Sequence, residues 1–172
     1  MASLSKKVCL LGEFAVGKTS LVRRFVHDRF DDQYISTIGV KVSRKPLVVP
    51  GDEQIHLTMM VWDLAGNEEF SEVRASYLRG SSGAVLVCDL TRRDTLDQLQ
   101  NYAADLRKVC PDAKFVVAAN KVDLISEHQI TVSDVTQLAN ELGVAFYLTS
   151  AKDGDEVEEV FRHLGKLVTS DS

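Results

Sequence analysis

Short apolar runs separated by amphipathic stretches predict an α/β fold with a mixed, mainly parallel sheet sandwiched between helix layers. Two further features support this: an internal hairpin with a proline in its first arm, and a glycine-rich loop between the first apolar run and a helical stretch. The 172 residues contain no low-complexity segment, no repeat and no Pro/Gly/Ser linker, so residues 1–172 are expected to form one domain.

The runs Val8 to Leu11, Gly83 to Leu90, Phe115 to Ala119 and Val144 to Leu148 are nearly continuous in apolar residues, as strands covered on both faces are. Val40 to Val49 and Ile55 to Trp62 read as two extended arms joined through Pro50-Gly51-Asp52-Glu53, an antiparallel hairpin. Pro46 cannot donate to a ladder, so the first arm is expected at the sheet edge. Leu96, Leu99, Tyr102, Ala103, Leu106 and Val109 keep to one helical face, with Asp94 ahead of them as an N-cap. Val135, Leu138, Ala139 and Leu142 repeat the pattern and Gly143 closes it. A last helix carries Val157, Val160, Phe161 and Leu164, and its opening acids Asp155, Glu156, Glu158 and Glu159 suit the positive end of the helix dipole.

Composition excludes several function classes. At 45% hydrophobic and 26% charged the chain is globular rather than disordered, collagenous or coiled-coil. The 25 acidic residues outnumber the 20 Lys and Arg for a net charge of −5, which argues against nucleic acid as a partner. Arg23-Arg24 and Arg92-Arg93 read as solvated helix or loop charges. No apolar run approaches a membrane span. The N-terminus lacks a signal-peptide core and has Ala2 where myristoylation needs Gly, so a cytoplasmic, monomeric protein is expected. Cys9, Cys88 and Cys110 are odd in number and widely spaced, the pattern of free thiols in a reducing compartment. His27, His56, His128 and His163 show no metal spacing and read as surface or packing residues.

Four motifs carry chemistry, and each follows an apolar run. Gly12-Glu13-Phe14-Ala15-Val16-Gly17-Lys18-Thr19 is GxxxxGK[ST] between a strand and a helix. Its glycines let backbone N–H groups wrap a phosphate, Lys18 reaches the β- and γ-phosphates, and the Thr19 hydroxyl coordinates Mg²⁺. By chance this spacing arises in roughly one chain of this length in a few hundred. In Trp62-Asp63-Leu64-Ala65-Gly66-Asn67, Asp63 at a strand end would hold Mg²⁺ through its water shell, and Gly66 would offer its N–H to the γ-phosphate. In Asn120-Lys121-Val122-Asp123, the Asp123 carboxylate matches the paired donors N1–H and N2–H of guanine, which adenine lacks. Asn120 can tie this loop to the glycine loop, and the Lys121 stem can cover the base. The Ala151 N–H in Ser150-Ala151-Lys152 would reach the guanine carbonyl. Four motifs at strand ends converge where open α/β sheets form their ligand crevice.

These motifs, together with Tyr34-Ile35-Ser36-Thr37-Ile38-Gly39, resemble the small GTPases of the Ras superfamily and look most similar to the Rab branch. The resemblance runs from about Lys6 to Val168. It implies a P-loop GTPase (G domain) fold of six strands and five helices, with one antiparallel edge strand. It also implies a GTP/GDP switch with Mg²⁺, served by an exchange factor, a GTPase-activating protein and effectors. Its nucleotide contacts map to Gly12, Ala15, Val16, Gly17, Lys18, Thr19, Ser20, Phe30, Tyr34, Thr37, Gly66, Asn120, Lys121, Asp123, Ser150, Ala151 and Lys152. Thr19, Thr37 and Asp63 map to the metal, and Lys18, Thr37, Gly66 and Asn67 to catalysis. Phe30 would pack edgewise on the base, and Tyr34 would close over the phosphates.

Three departures qualify the resemblance. Asn67 stands where the family commonly has Gln, one methylene longer, to orient the attacking water. Phe14 fills a position often held by a small residue and would crowd that water. Both point to slow hydrolysis, which leaves a binding-only scaffold, or a GTPase module of a larger protein, as the alternative to a hydrolysing switch. A P-loop ATPase or phosphotransferase would lack Asp123. The last residues, Val168 to Ser172, contain no Cys for prenylation, so membrane association is expected only through a partner or a further tail. Trp62 and Tyr77 match two positions of an aromatic effector patch, and Val42 replaces its usual Phe.

Overall fold

Gly83–Asp89 is a strand with every residue buried, and the rest of the sheet is built out from it. In the computed structural model, which describes residues 2–27, 40–64 and 71–170, this strand is β4 of six. The others are β1 (Ala2–Leu11), β2 (Val40–Val49), β3 (Ile55–Leu64), β5 (Lys114–Asn120) and β6 (Ala145–Thr149). The sheet order is β2-β3-β1-β4-β5-β6. All neighbours pair in parallel except β2 with β3, which run antiparallel. As Pro46 requires, β2 is the edge strand. β1 is longer than its apolar run because Ala2 to Lys7 extend it in pairing with β3.

Helices cover both faces. α1 (Lys18–His27) and α6 (Val157–Thr169) pack on one side, where Phe25 and Phe161 stack with ring centroids 4.2 Å apart. α2 (Ser71–Leu78), α4 (Leu99–Val109) and α5 (Val132–Leu142) pack on the other, around Leu99, Ala103, Leu106 and Val135. The helical pattern read over 94–109 comes in two pieces, α3 (Arg93–Asp97) and α4, with Gln98 between them. Counted together they leave five helices among the described residues.

Asp94 is not the N-cap. That position falls to Arg92, whose side chain makes no capping bond, and Asp94 sits in the first turn. Buried Thr95 holds this turn instead: its hydroxyl accepts from the Asp89 N–H at 2.9 Å and lies 2.7 Å from the Arg92 carbonyl. α5 opens on a capping box, with Thr131 Oγ1 accepting from the Asp134 N–H and Asp134 Oδ2 from the Thr131 N–H. Gly143 closes the helix in the left-handed region at φ 72°, as the sequence predicts. No helix among the described residues is long and apolar enough to cross a membrane.

Gly83 shows how closely α6 lies on the sheet. A Cβ there would come within 2.9 Å of the Lys114 carbonyl oxygen and of the Leu164 and Val168 side chains. Because one contact is backbone, Gly83→Ala should cost about 1–3 kcal/mol by overpacking. Thermal denaturation of the variant should show a melting temperature several degrees below the parent.

Candidate functional site

The Gly12–Gly17 loop leaves β1 at its carboxyl end and feeds α1, whose first residues are Lys18, Thr19 and Ser20. Its carbonyl groups are held by four side chains from three places in the chain. Lys18 Nζ donates to the Gly12 carbonyl at 2.7 Å, and Arg92 Nη1 to that of Phe14 at 2.8 Å. Lys121 Nζ donates to the Ala15 carbonyl at 3.2 Å, and Asn120 Nδ2 to that of Val16 at 3.0 Å. The Tyr102 hydroxyl adds a 2.5 Å bond to the Glu13 carboxylate. Among the described residues, the N–H groups of Glu13–Gly17 donate to none of the chain's acceptors. A loop with its carbonyls engaged and its donors unspent is a concavity for an anion.

Two glycines permit that path. At Gly17, φ is 105° and a Cβ would lie 2.2 Å from Asn120 Nδ2; at Gly12 it would lie 2.3 Å from the Val87 carbonyl oxygen. Ala15 also holds a left-handed φ of 64°, a strain consistent with a loop shaped for a ligand.

Asp63, near the end of β3, reaches the same place. It is 1% exposed, and its Oδ2 accepts from the Thr19 hydroxyl at 2.5 Å. Its Oδ1 has no hydrogen-bond partner among the described residues, although it is buried. Burial pushes the carboxyl above its usual range, while the Thr19 bond and the charges of Lys18, Lys41 and Arg23 pull the other way. A buried carboxylate with one oxygen to spare beside a hydroxyl is a donor set that fits Mg²⁺ or its bound water.

A second centre forms where β5 and β6 end. Asn120 accepts from the Thr149 hydroxyl at 3.0 Å through Oδ1 while its amide holds Val16, so one side chain fixes three loops. Asp123 accepts from Ser150 Oγ at 2.9 Å, and Ser150 in turn accepts from the Asp153 N–H at 2.9 Å. Ala151 is buried and Lys152 exposed, and their carbonyls are held by Arg24 at 3.1 and 2.5 Å. Lys121 takes a left-handed φ of 72° and pairs with Asp89 Oδ2 at 2.7 Å. Burial works to raise the Asp89 carboxyl, but the bonds from Lys121 and Thr91 prevail and hold it below the usual carboxylate range.

Of the residues singled out in the sequence, Gly12, Ala15, Val16, Gly17, Lys18, Thr19, Ser20, Asp63, Asn120, Lys121, Asp123, Ser150, Ala151 and Lys152 stand in these loops or at their borders. Phe30, Tyr34, Thr37, Gly66 and Asn67 lie outside the described residues. Arg24 and Arg92 are not merely solvated charges: each ties a site loop to a neighbouring element, and only the fold brings their partners within reach. Tyr102 and Glu13, 89 residues apart, are joined the same way. Tyr77 is 3% exposed and its hydroxyl bonds the Leu10 and Trp62 backbone, so it is a core residue rather than part of an open patch. Trp62 is half-buried with Lys7 Nζ 3.7 Å from its ring centroid, and Val42 is exposed.

Comparison with known proteins agrees with this geometry. The family described as Ras matches residues 7–170. The chain is 36% identical to Ras-related protein Rab-31 of Rattus norvegicus over 169 residues, covering 98% of this chain and 85% of that one. Identity is 37% to Ras-related protein Rab-21 of Bos taurus, covering 94% and 72%, and 33% to Ras-related protein Rab-4 of Dictyostelium discoideum, covering 96% and 89%.

The Asp89–Lys121 pair gives a testable pH dependence. Because the folded state depresses the Asp89 carboxyl, the pair stabilises the fold above the ordinary carboxylate range of about 4 and is lost as pH falls through the depressed value. Asp89→Asn should therefore lower stability by about 1–3 kcal/mol at pH 7. The difference should shrink in denaturant titrations repeated below about pH 4.

Proposed function

The chain belongs to the Ras family of GTP-binding molecular switches, near its Rab branch, and we propose that it is a guanine-nucleotide switch with slow intrinsic hydrolysis. The observation that carries the reading is the bond from Asn120 to the Val16 carbonyl, which joins the anion-binding loop to the loop bearing Asp123. A phosphate cradle and a carboxylate matched to guanine are thereby built as one unit.

In this reading the N–H groups of the Gly12–Gly17 loop and the Lys18 ammonium hold the phosphates. Lys18 is 6% exposed, so its charge acts in a water-poor setting. Thr19 and Asp63 would hold Mg²⁺, which would supply charge neutralisation for the phosphates. Thr37 and Gly66 complete the phosphate contacts, and Phe30, Tyr34 and Lys121 flank the nucleotide. Asp123, oriented by Ser150, accepts from N1–H and N2–H of guanine, with the Ala151 N–H on the carbonyl. Exchange factors, activating proteins and effectors act through the switch segments on either side of the hairpin, and the protein works in the cytoplasm as a monomer.

Slow hydrolysis is supported by two residues. The Asn67 amide is one methylene short of the reach that a glutamine gives to the attacking water. Phe14 stands on the phosphate loop, exposed and with its carbonyl fixed by Arg92, so a large side chain is carried where the family often has a small one. The same observation favours a second reading, a protein that holds GTP without useful turnover.

Two experiments test these assignments. Asp123→Asn should shift preference from GTP toward XTP by tenfold or more in competition binding, because xanthine replaces the exocyclic donor with an acceptor; unchanged GTP selectivity would overturn the base assignment. Asn67→Gln should speed single-turnover hydrolysis of preloaded GTP by roughly ten- to a hundredfold, equivalent to about 1.4–2.8 kcal/mol. No change in that rate would remove Asn67 as a cause of slow turnover.

A further inference from the structure

The left-handed φ of 72° at Lys121 is a conformation that a residue with a Cβ keeps only where its surroundings hold it there. Its ammonium is spent on Asp89 and on the Ala15 carbonyl, and the Val122 N–H that follows donates to the Thr149 carbonyl at 3.0 Å. The Lys121 carbonyl meets two donors. The Leu124 N–H closes a turn onto it at 3.0 Å, and His128 Nε2 lies 3.2 Å from it. A carbonyl cannot donate, so the second contact requires a proton on Nε2 and makes the half-buried imidazole a donor.

The segment that carries this ring is fastened on its own account. A 3₁₀ turn, Ile125–Glu127, leads into His128, and the next two residues donate through their N–H groups to the Leu90 carbonyl, Gln129 at 2.8 Å and Ile130 at 3.2 Å. Ile130 is buried, and the Gln129 side chain accepts from the Arg93 N–H at 3.4 Å. Leu90 follows Asp89, so His128 reaches Lys121 from the same strand end that holds the lysine's ammonium. His128 belongs to none of the four motifs, and the sequence alone reads it as a surface or packing residue.

We propose that His128 is a positioning residue of the guanine site: its Nε2–H holds the Lys121 carbonyl and thereby the direction in which the chain runs on to Asp123. The inference rests on the reading of Asp123 as the acceptor for guanine. Ser150 fixes one oxygen of that carboxylate, but the backbone presenting it is set two residues earlier, at the left-handed turn. Without the imidazole donor one bond to the Lys121 carbonyl remains, and the turn loses part of what holds it. The carboxylate then drifts from the paired donors of the base, and discrimination in favour of the exocyclic amine falls.

The test is competition binding of GDP against inosine diphosphate, which lacks that amine, to the full chain, reading the ratio of the two affinities. A loss of global stability alone moves both affinities together and leaves the ratio unchanged. His128→Phe keeps a ring and removes the donor; it should lower the ratio about three- to tenfold, the range of one hydrogen bond. His128→Gln, whose Nε2 offers an N–H at similar reach, should keep it within about twofold of the parent. Should His128→Phe fail to fold, as judged by circular dichroism, His128→Leu removes the donor in its place. An unmoved ratio in a folded donorless variant, or an equal fall in His128→Gln, would overturn the positioning role while leaving the guanine assignment intact. A parent protein that binds GDP no better than inosine diphosphate would overturn the guanine reading and this inference with it.

Discussion

The site depends on how the backbone of one six-residue loop is oriented. A loop folds around an anion only if its carbonyl dipoles are directed elsewhere, and in this protein four donors do that work: Lys18, Arg92, Lys121 and Asn120. Three of the four arrive from beyond the loop and its helix, so the anion site is a product of the folded sheet and not of the glycine motif alone. Each donor is itself held. Asn120 is fixed by Thr149, Lys121 by Asp89, and the segment carrying Arg92 by the Thr95 hydroxyl against β4.

That arrangement couples the two halves of the crevice. Asn120 and Lys121 belong to the Asn120–Asp123 motif, yet both spend hydrogen bonds on the Gly12–Gly17 loop. Loss of order in one half therefore loosens the other. A satisfied polar network of this kind resists small rearrangements, because leaving any one buried partner unpaired costs more than the bond contributes. Ser150 and Arg24 do the equivalent for the remaining loop, setting Asp123 from one side and the Ala151–Lys152 backbone from the other.

Much of this was legible in the sequence because it is local. The GxxxxGK[ST] spacing, the edge position of the Pro46 arm and the helix stop at Gly143 each follow from a few adjacent residues whose backbone preferences are strong. The Asn120 tie was also legible, since the motif's amide has few other uses. Arg24, Arg92 and Tyr102 were not, because an arginine beside another arginine looks the same whether it is solvated or bonded to a carbonyl 78 residues away. Asp94 misled for a related reason: acid ahead of an apolar period is a sound N-cap signal, and only the tertiary demand for the Thr95 hydroxyl displaced it. Tyr77 went from surface to core because three backbone groups of neighbouring strands claim its hydroxyl.

The hairpin register is where local pattern and site chemistry meet. β2 and β3 pair over ten residues, from Val40 with Leu64 to Val49 with Ile55, and the apolar half of that ladder fixes which face the charged half presents. Because side chains alternate, a slip of one residue would turn Leu47 and Val49 out of the core together with Lys41 away from Asp63. The burial of Leu47 and Leu57 near the hairpin tip thus holds the register at the opposite end, where Lys41 stands across from Asp63. A strand that contributes no nucleotide motif among its ten residues is consequently placed against the site by its apolar end.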